Sequence, residues 1–261
     1  MRWPPRELSV VAALAASAVL ASLLVPTYPN YDSYYALVWG RELLDGTSPS
    51  FEAYAAPTQH PLWNVVGALL AAVFGDDADR AVVMVAAVSH VVLVWGTFRL
   101  GAVIAGRAVG LVAGLLVGSS FAFLLFAARG YVDVPFLALV IWAAVVEAEH
   151  GRERRGRAMA LLALAGLLRP EAWVLAGLLW LWDARDTALL RGPGRQPPVD
   201  ASPAQRDGTR ARLAGLLGGV LVAPLLWALS DLAVTGDPLY SLNATSALAE
   251  ALGRDRGIAE V

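Results

Sequence analysis

Residues 134–157 read VPFLALVIWAAVVEAEHGRERRGR. The first part is apolar on every side of a helical wheel, so a helix built from it has no face for water, and lipid is its natural solvent. Four arginines, Arg152, Arg154, Arg155 and Arg157, follow at once. Basic clusters beside a span stay in the cytoplasm, so this short stretch gives both a membrane helix and its direction.

The same alternation runs through the chain. Further apolar runs occupy 8–25, 61–74, 81–98, 109–127, 158–182 and 213–234, with the charges gathered between them. Only 16% of residues are charged, below the roughly 25% of a soluble domain. The expected fold is therefore an all-α, polytopic membrane helical bundle. A net charge of −2 gives no reason to expect a nucleic-acid partner. Cysteine is absent, which excludes disulfides and thiol chemistry.

All twenty basic residues are arginine, and they set the topology. Arg2 and Arg6 place the N-terminus in the cytoplasm, with 8–25 read as a retained span rather than a cleaved signal. Residues 27–80 then form a long extracytoplasmic loop. The run 61–74 is shorter than the roughly 20 residues a span needs, and it is read as an interfacial helix. With 158–182 taken as a hairpin of two short helices, fourteen arginines fall inside and six outside. The cytoplasmic loop is 183–212, rich in proline, glycine and charge. Residues 235–261 return to the outer side, and nothing in them closes a fold, so the chain reads as the N-terminal part of a longer protein.

The outer loop holds the residues with chemistry. Asp32 follows the first span among Tyr28, Tyr31, Tyr34 and Tyr35. Over 33–45, Tyr35, Trp39, Leu43 and Leu44 share one arc of a helical wheel, and Arg41, Glu42 and Asp45 the other, the pattern of an interfacial amphipathic helix. The bland reading makes the tyrosines an aromatic belt and Asp32 a solvated helix N-cap. The functional reading makes Asp32 a base at the membrane mouth, able to take a proton from an acceptor hydroxyl. A departing lipid phosphate would need a cation.

A second acid, Asp133, follows Arg129 in the next outer loop; its bland reading is again a helix cap. Arg169-Pro170-Glu171 interrupts an apolar stretch, either as an ion pair closing a kinked hairpin or with Arg169 on a lipid phosphate. His60, just before Pro61, is open between metal ligand, proton carrier and interfacial anchor.

Taken in order, these features resemble the GT-C superfamily of polyprenyl-phosphate-sugar glycosyltransferases, of the protein O-mannosyltransferase and aminoarabinose-transferase type. The features are Asp32 in the long first loop, Leu43-Leu-Asp-Gly46, His60-Pro61-Leu62 opening a short helix, and Asp79-Arg80. Two spans, Arg129-Gly-Tyr-Val-Asp133, a basic inner loop and Leu168-Arg-Pro-Glu171 follow. The resemblance covers about 8–240. It implies a plasma-membrane enzyme with its active site outside, moving a sugar from a polyprenyl-phosphate donor to a protein, lipid or glycan acceptor, among membrane lipids.

By the same resemblance Asp32 is the base on the acceptor, and Asp133 supports the site directly or through a divalent cation. Asp32, Asp133 and His60 are the candidate metal ligands. Tyr31, Tyr35, His60, Arg129, Arg169 and Glu171 are the candidate substrate-binding residues. One departure stands out: many relatives carry a second acid directly after the first, where this chain has Ser33. The rival reading, a transporter or flippase, predicts charges at mid-span, whereas the long runs here are clean at their centres. A non-catalytic scaffold predicts that Asp32 and Asp133 tolerate replacement.

Overall fold

The computed structural model describes residues 5–51, 56–185 and 203–251. Among them there are helices and connections only: α1 (Pro5–Leu24), α2 (Tyr31–Leu44), α3 (Pro61–Phe74), α4 (Ala78–Ala105), α5 (Arg107–Ser119), α6 (Phe121–Ala128), α7 (Asp133–His150), α8 (Arg155–Gly166), α9 (Glu171–Arg185), α10 (Pro203–Thr235) and α11 (Tyr240–Ala251). Four helical runs are long and apolar enough to cross a membrane, or five if the bent pair α5–α6 is one span. The protein is thus a polytopic helical bundle and an integral membrane protein, as its composition implied.

Local chemistry explains where several helices begin and end. Asn30 caps α2: its backbone is extended and its side chain accepts a hydrogen bond from the Ser33 amide. Pro61 lies in the first turn of α3, where a missing N–H is harmless, and it holds His60 in an extended conformation (φ −122°, ψ 96°). The apolar stretch 109–127 does not form one straight helix. It bends by 55° between α5 and α6, at a Gly-Ser-Ser sequence where Ser120 is extended. Between α8 and α9, Pro170 has no N–H to continue a helix. Of the stretch 183–212, expected to be a cytoplasmic loop, residues 186–202 lie outside the described residues, and its two flanks are helical in α9 and α10.

The chain divides into two compact units. The first comprises Met1–Val92, Gly118–Pro135 and Leu226–Val261, the second Leu93–Val117 and Phe136–Leu225. In the first, α2 lies against α3 at unusually short range. A methyl group built on Gly67 would stand 2.3 Å from the Ala36 carbonyl oxygen, and one on Gly40 would stand 2.4 Å from the Ala68 nitrogen. The buried face of α2 is consequently Ser33, Ala36, Leu37, Trp39 and Gly40. Of the apolar arc read from the sequence, Trp39 is buried against the protein and Leu43 and Leu44 are exposed.

In the second unit, Ala143, Ala158, Met159, Leu162, Ala176 and Leu216 form a core in which alanines alternate with larger apolar side chains. Beside it lies an ion network. Arg155 pairs with both Glu147 and Asp183, and Asp183 also meets Arg212 at 2.6 Å and Arg152 at 3.5 Å. Asp183 is fully buried, and the surrounding guanidinium groups are what make a carboxylate tolerable there.

Candidate active site

The two segments that carry the candidate acids are docked on each other within the first unit. The segment at the end of α6 supplies the receiving surface. Tyr131 N–H bonds to Phe126 O at 2.9 Å and Gly130 N–H to Ala127 O at 3.1 Å. Gly130 has φ 65°, and the Phe126 and Tyr131 rings stack at 4.5 Å. This is a Schellman ending with its apolar contact, and glycine is required for its left-handed residue.

Onto this turn the chain after α1 is laid. Asn30 N–H donates to Arg129 O at 2.6 Å, Ser33 Oγ to Gly130 O at 2.6 Å, and Thr27 Oγ1 to Ala128 O. Arg129 answers by donating from Nε to Tyr28 O at 3.0 Å, with its guanidinium 3.9 Å from the centre of the Tyr28 ring. Trp63 of α3 completes the junction by donating from Nε1 to Ser33 Oγ at 2.9 Å. Ser33 is fully buried between these partners. An acid in its place would turn a carboxylate toward the Gly130 carbonyl.

Asp32 lies in the first turn of α2 and Asp133 opens α7; both are partly exposed. Because Asn30 performs the capping of α2, Asp32 is not the N-cap that its bland reading made it. Tyr31 and Tyr35 stand one turn apart on α2 with ring centres 4.8 Å apart. The hydrogen bond to Tyr35, then burial and the charge of Asp32, push the Tyr31 phenol up to about 12. It therefore stays neutral and able to donate.

His60 sits with its ring edge-on to Trp227 of α10, 6.1 Å between centres. Among the described residues no group of three His, Asp or Glu side chains could hold a metal ion. Asp32, Asp133 and His60 thus do not form such a group of three.

A family model described as dolichyl-phosphate-mannose-protein mannosyltransferase matches residues 57–188, half of the chain. The chain belongs to this family. It is a membrane glycosyltransferase of the GT-C type, which decides against the transporter and scaffold readings. Neither the curated proteins nor the solved structures give a significant match. The part of the transferase that the family model matches includes His60, Arg129, Asp133, Arg169 and Glu171; Tyr31, Asp32 and Tyr35 precede it.

Arg169 and Glu171 of the transferase belong to its second unit. They form an ion pair at 2.9 Å, with the Arg169 guanidinium 5.8 Å from the centre of the Phe136 ring. Sequence reasoning missed Asn30, Ser33, Trp63 and Asp231. Three of these carry no charge and give no signal without their partners. Asp231 did give one, since a carboxylate near the end of the membrane-length run 213–234 has to be satisfied somehow.

Proposed function

We propose that the protein transfers a sugar, mannose first among candidates, from a polyprenyl-phosphate-linked donor to a hydroxyl of a protein, lipid or glycan acceptor. The reaction takes place on the extracytoplasmic side of the plasma membrane, with the N-terminus in the cytoplasm, as the arginine distribution favours. The observation that carries this reading is the docking of the Asp32 loop on the Arg129–Asp133 loop, which gathers a partly exposed carboxylate and a cation.

In this reading the Asp32 carboxylate takes the proton of the acceptor hydroxyl. The acceptor oxygen forms its bond to the sugar C1 as the bond from C1 to the phosphate oxygen breaks, with inversion. The electron pair leaves with the polyprenyl phosphate, whose added negative charge falls to Arg129. Arg129 suits this task because its Nε and ring contacts hold the guanidinium plane, while no described carboxylate pairs with it. Asp133 supports the site, and Tyr31, Tyr35 and His60 bind the sugar or its acceptor, Tyr31 as a neutral donor.

The test uses membranes carrying the protein, supplied with labelled polyprenyl-phosphate sugars. Removing a general base lowers rates by about 10²–10⁴-fold, so Asp32→Asn should reduce transfer by that factor at matched protein level. Transfer unaffected by Asp32→Asn would remove Asp32 from the mechanism. No transfer from any donor tried by the folded wild type would remove the proposed reaction.

A further inference from the structure

Asp231 lies on α10, is 2% exposed, and pairs with no described cation. Three donors converge on its carboxylate instead. Gln59 Nε2 donates to Oδ1, Ser241 Oγ donates to Oδ1 at 2.7 Å, and the Ser241 amide donates to Oδ2 at 2.9 Å. Gln59 is itself 1% exposed, and its Oε1 accepts from Ser230 Oγ at 3.2 Å. The Ser241 amide belongs to the first turn of α11, so the carboxylate also sits at the positive end of that helix.

Two further contacts give this node a direction. Trp227 precedes Asp231 by four residues, so the two share a face of α10, and Trp227 meets the His60 ring. Thr58 and Thr245 share a hydrogen bond at 2.6 Å. Every residue from Thr58 to His60 is thus gripped by α10 or α11, immediately before Pro61 starts α3. The helix so fixed is the one whose Trp63 holds Ser33 and whose Gly67 abuts the α2 backbone.

We infer that Asp231 is a positioning residue of the transferase: its carboxylate, through Gln59, fixes His60 and the start of α3, and thereby the setting of α2 and Asp32. This inference rests on the proposed reaction. It extends the working parts of the site to a carboxylate that touches no substrate.

The test exchanges the charge across the pair. In Asp231→Asn an amide N–H faces the Gln59 N–H groups, and in Gln59→Glu a second carboxylate faces Asp231. The double variant Asp231→Asn/Gln59→Glu restores an N–H facing a carboxylate. The carbonyl of the new amide on α10 then accepts from the Ser241 N–H, and the Ser241 hydroxyl can reverse its sense. A misplacement of about 1 Å costs on the order of 10²-fold. Each single variant should therefore lose kcat by about that factor, with the donor KM within about threefold of wild type. The double variant should recover kcat to within about tenfold of wild type.

Normal kcat in Asp231→Asn, a defect confined to KM, or a double variant no better than the worse single one would overturn the inference. If the single variants do not accumulate, the double variant decides alone. Accumulation with near-normal kcat supports the positioning role; failure to accumulate, or accumulation without transfer, overturns it. Wild type and Asp32→Asn in the same membranes separate the two readings. A silent wild type removes the proposed reaction, whereas an active wild type with an equally active Asp231→Asn removes only this inference.

Discussion

Ser33→Ala is the sharpest probe of how the site is assembled. Ser33 is fully buried, its hydroxyl donates to Gly130 O at 2.6 Å, and it accepts from Trp63 Nε1 at 2.9 Å. Alanine fits the same space, so no clash arises and no large cavity opens. What changes is that a buried carbonyl and a buried indole N–H both lose their partner, each worth about 1–3 kcal/mol. Allowing for some relaxation at the Gly130 turn, the destabilisation should be about 2–4 kcal/mol. Because the lost bonds tie the Asp32 loop to the Arg129 loop, transfer should fall as well, by about tenfold or more. Both can be read on detergent-solubilised protein, stability from thermal or denaturant unfolding and rate from label transfer. Trp63→Phe removes one side of the same contact, and a double-mutant cycle should give a coupling of about 0.5–3 kcal/mol. A Ser33→Ala protein with stability within about 0.5 kcal/mol of wild type and an unchanged rate would refute the view that this hydroxyl joins the loops.

Three other outcomes follow from the geometry. Gly67→Ala places a methyl 2.3 Å from the Ala36 carbonyl oxygen, so α2 and α3 must part, at a cost of about 1–3 kcal/mol in unfolding measurements. The Tyr31 phenol, pushed up to about 12, favours folding fully below the free phenol value near 10 and loses that contribution as pH rises through 12. Transfer should therefore show no phenol-dependent fall at pH 10, and Tyr35→Phe, which removes the largest cause of the shift, should bring that fall to lower pH. Arg155→Ala leaves Glu147 and Asp183 without their shared partner, a loss of about 3–5 kcal/mol, and the protein should accumulate poorly in membranes while Arg155→Lys accumulates better.

How much of this was legible in the sequence depends on how local the cause is. The Phe126–Tyr131 turn needs only a glycine with an apolar residue on each side of the helix end, and His60-Pro61 announces a helix start by itself. Asp32, Arg129 and Asp133 stood out because charge beside lipid is conspicuous. The partners that join them did not. Ser33 looks like a missing acid until Trp63 and Gly130 are seen on either side of it. The apolar arc of α2 drew the eye to Trp39, Leu43 and Leu44, whereas the close approach to α3 runs through Ala36 and Gly40, whose small size gives no signal in a single sequence. Such contacts link residues tens to a hundred positions apart, and a single sequence carries no trace of them.

The network around Asp183 bears on how the protein is made. α8 and α9, with twelve and fifteen residues, extend only about 18 and 22 Å at 1.5 Å per residue. Neither alone reaches across a hydrocarbon layer of about 30 Å. Arg155 opens α8 and Asp183 lies near the end of α9, so their ion pair joins the two open ends of the hairpin. The insertion machinery would then have to receive both helices together, as a neutralised pair. Glu147 can receive Arg155 as soon as it is made, and Asp183 and then Arg212 would join the network as synthesis proceeds.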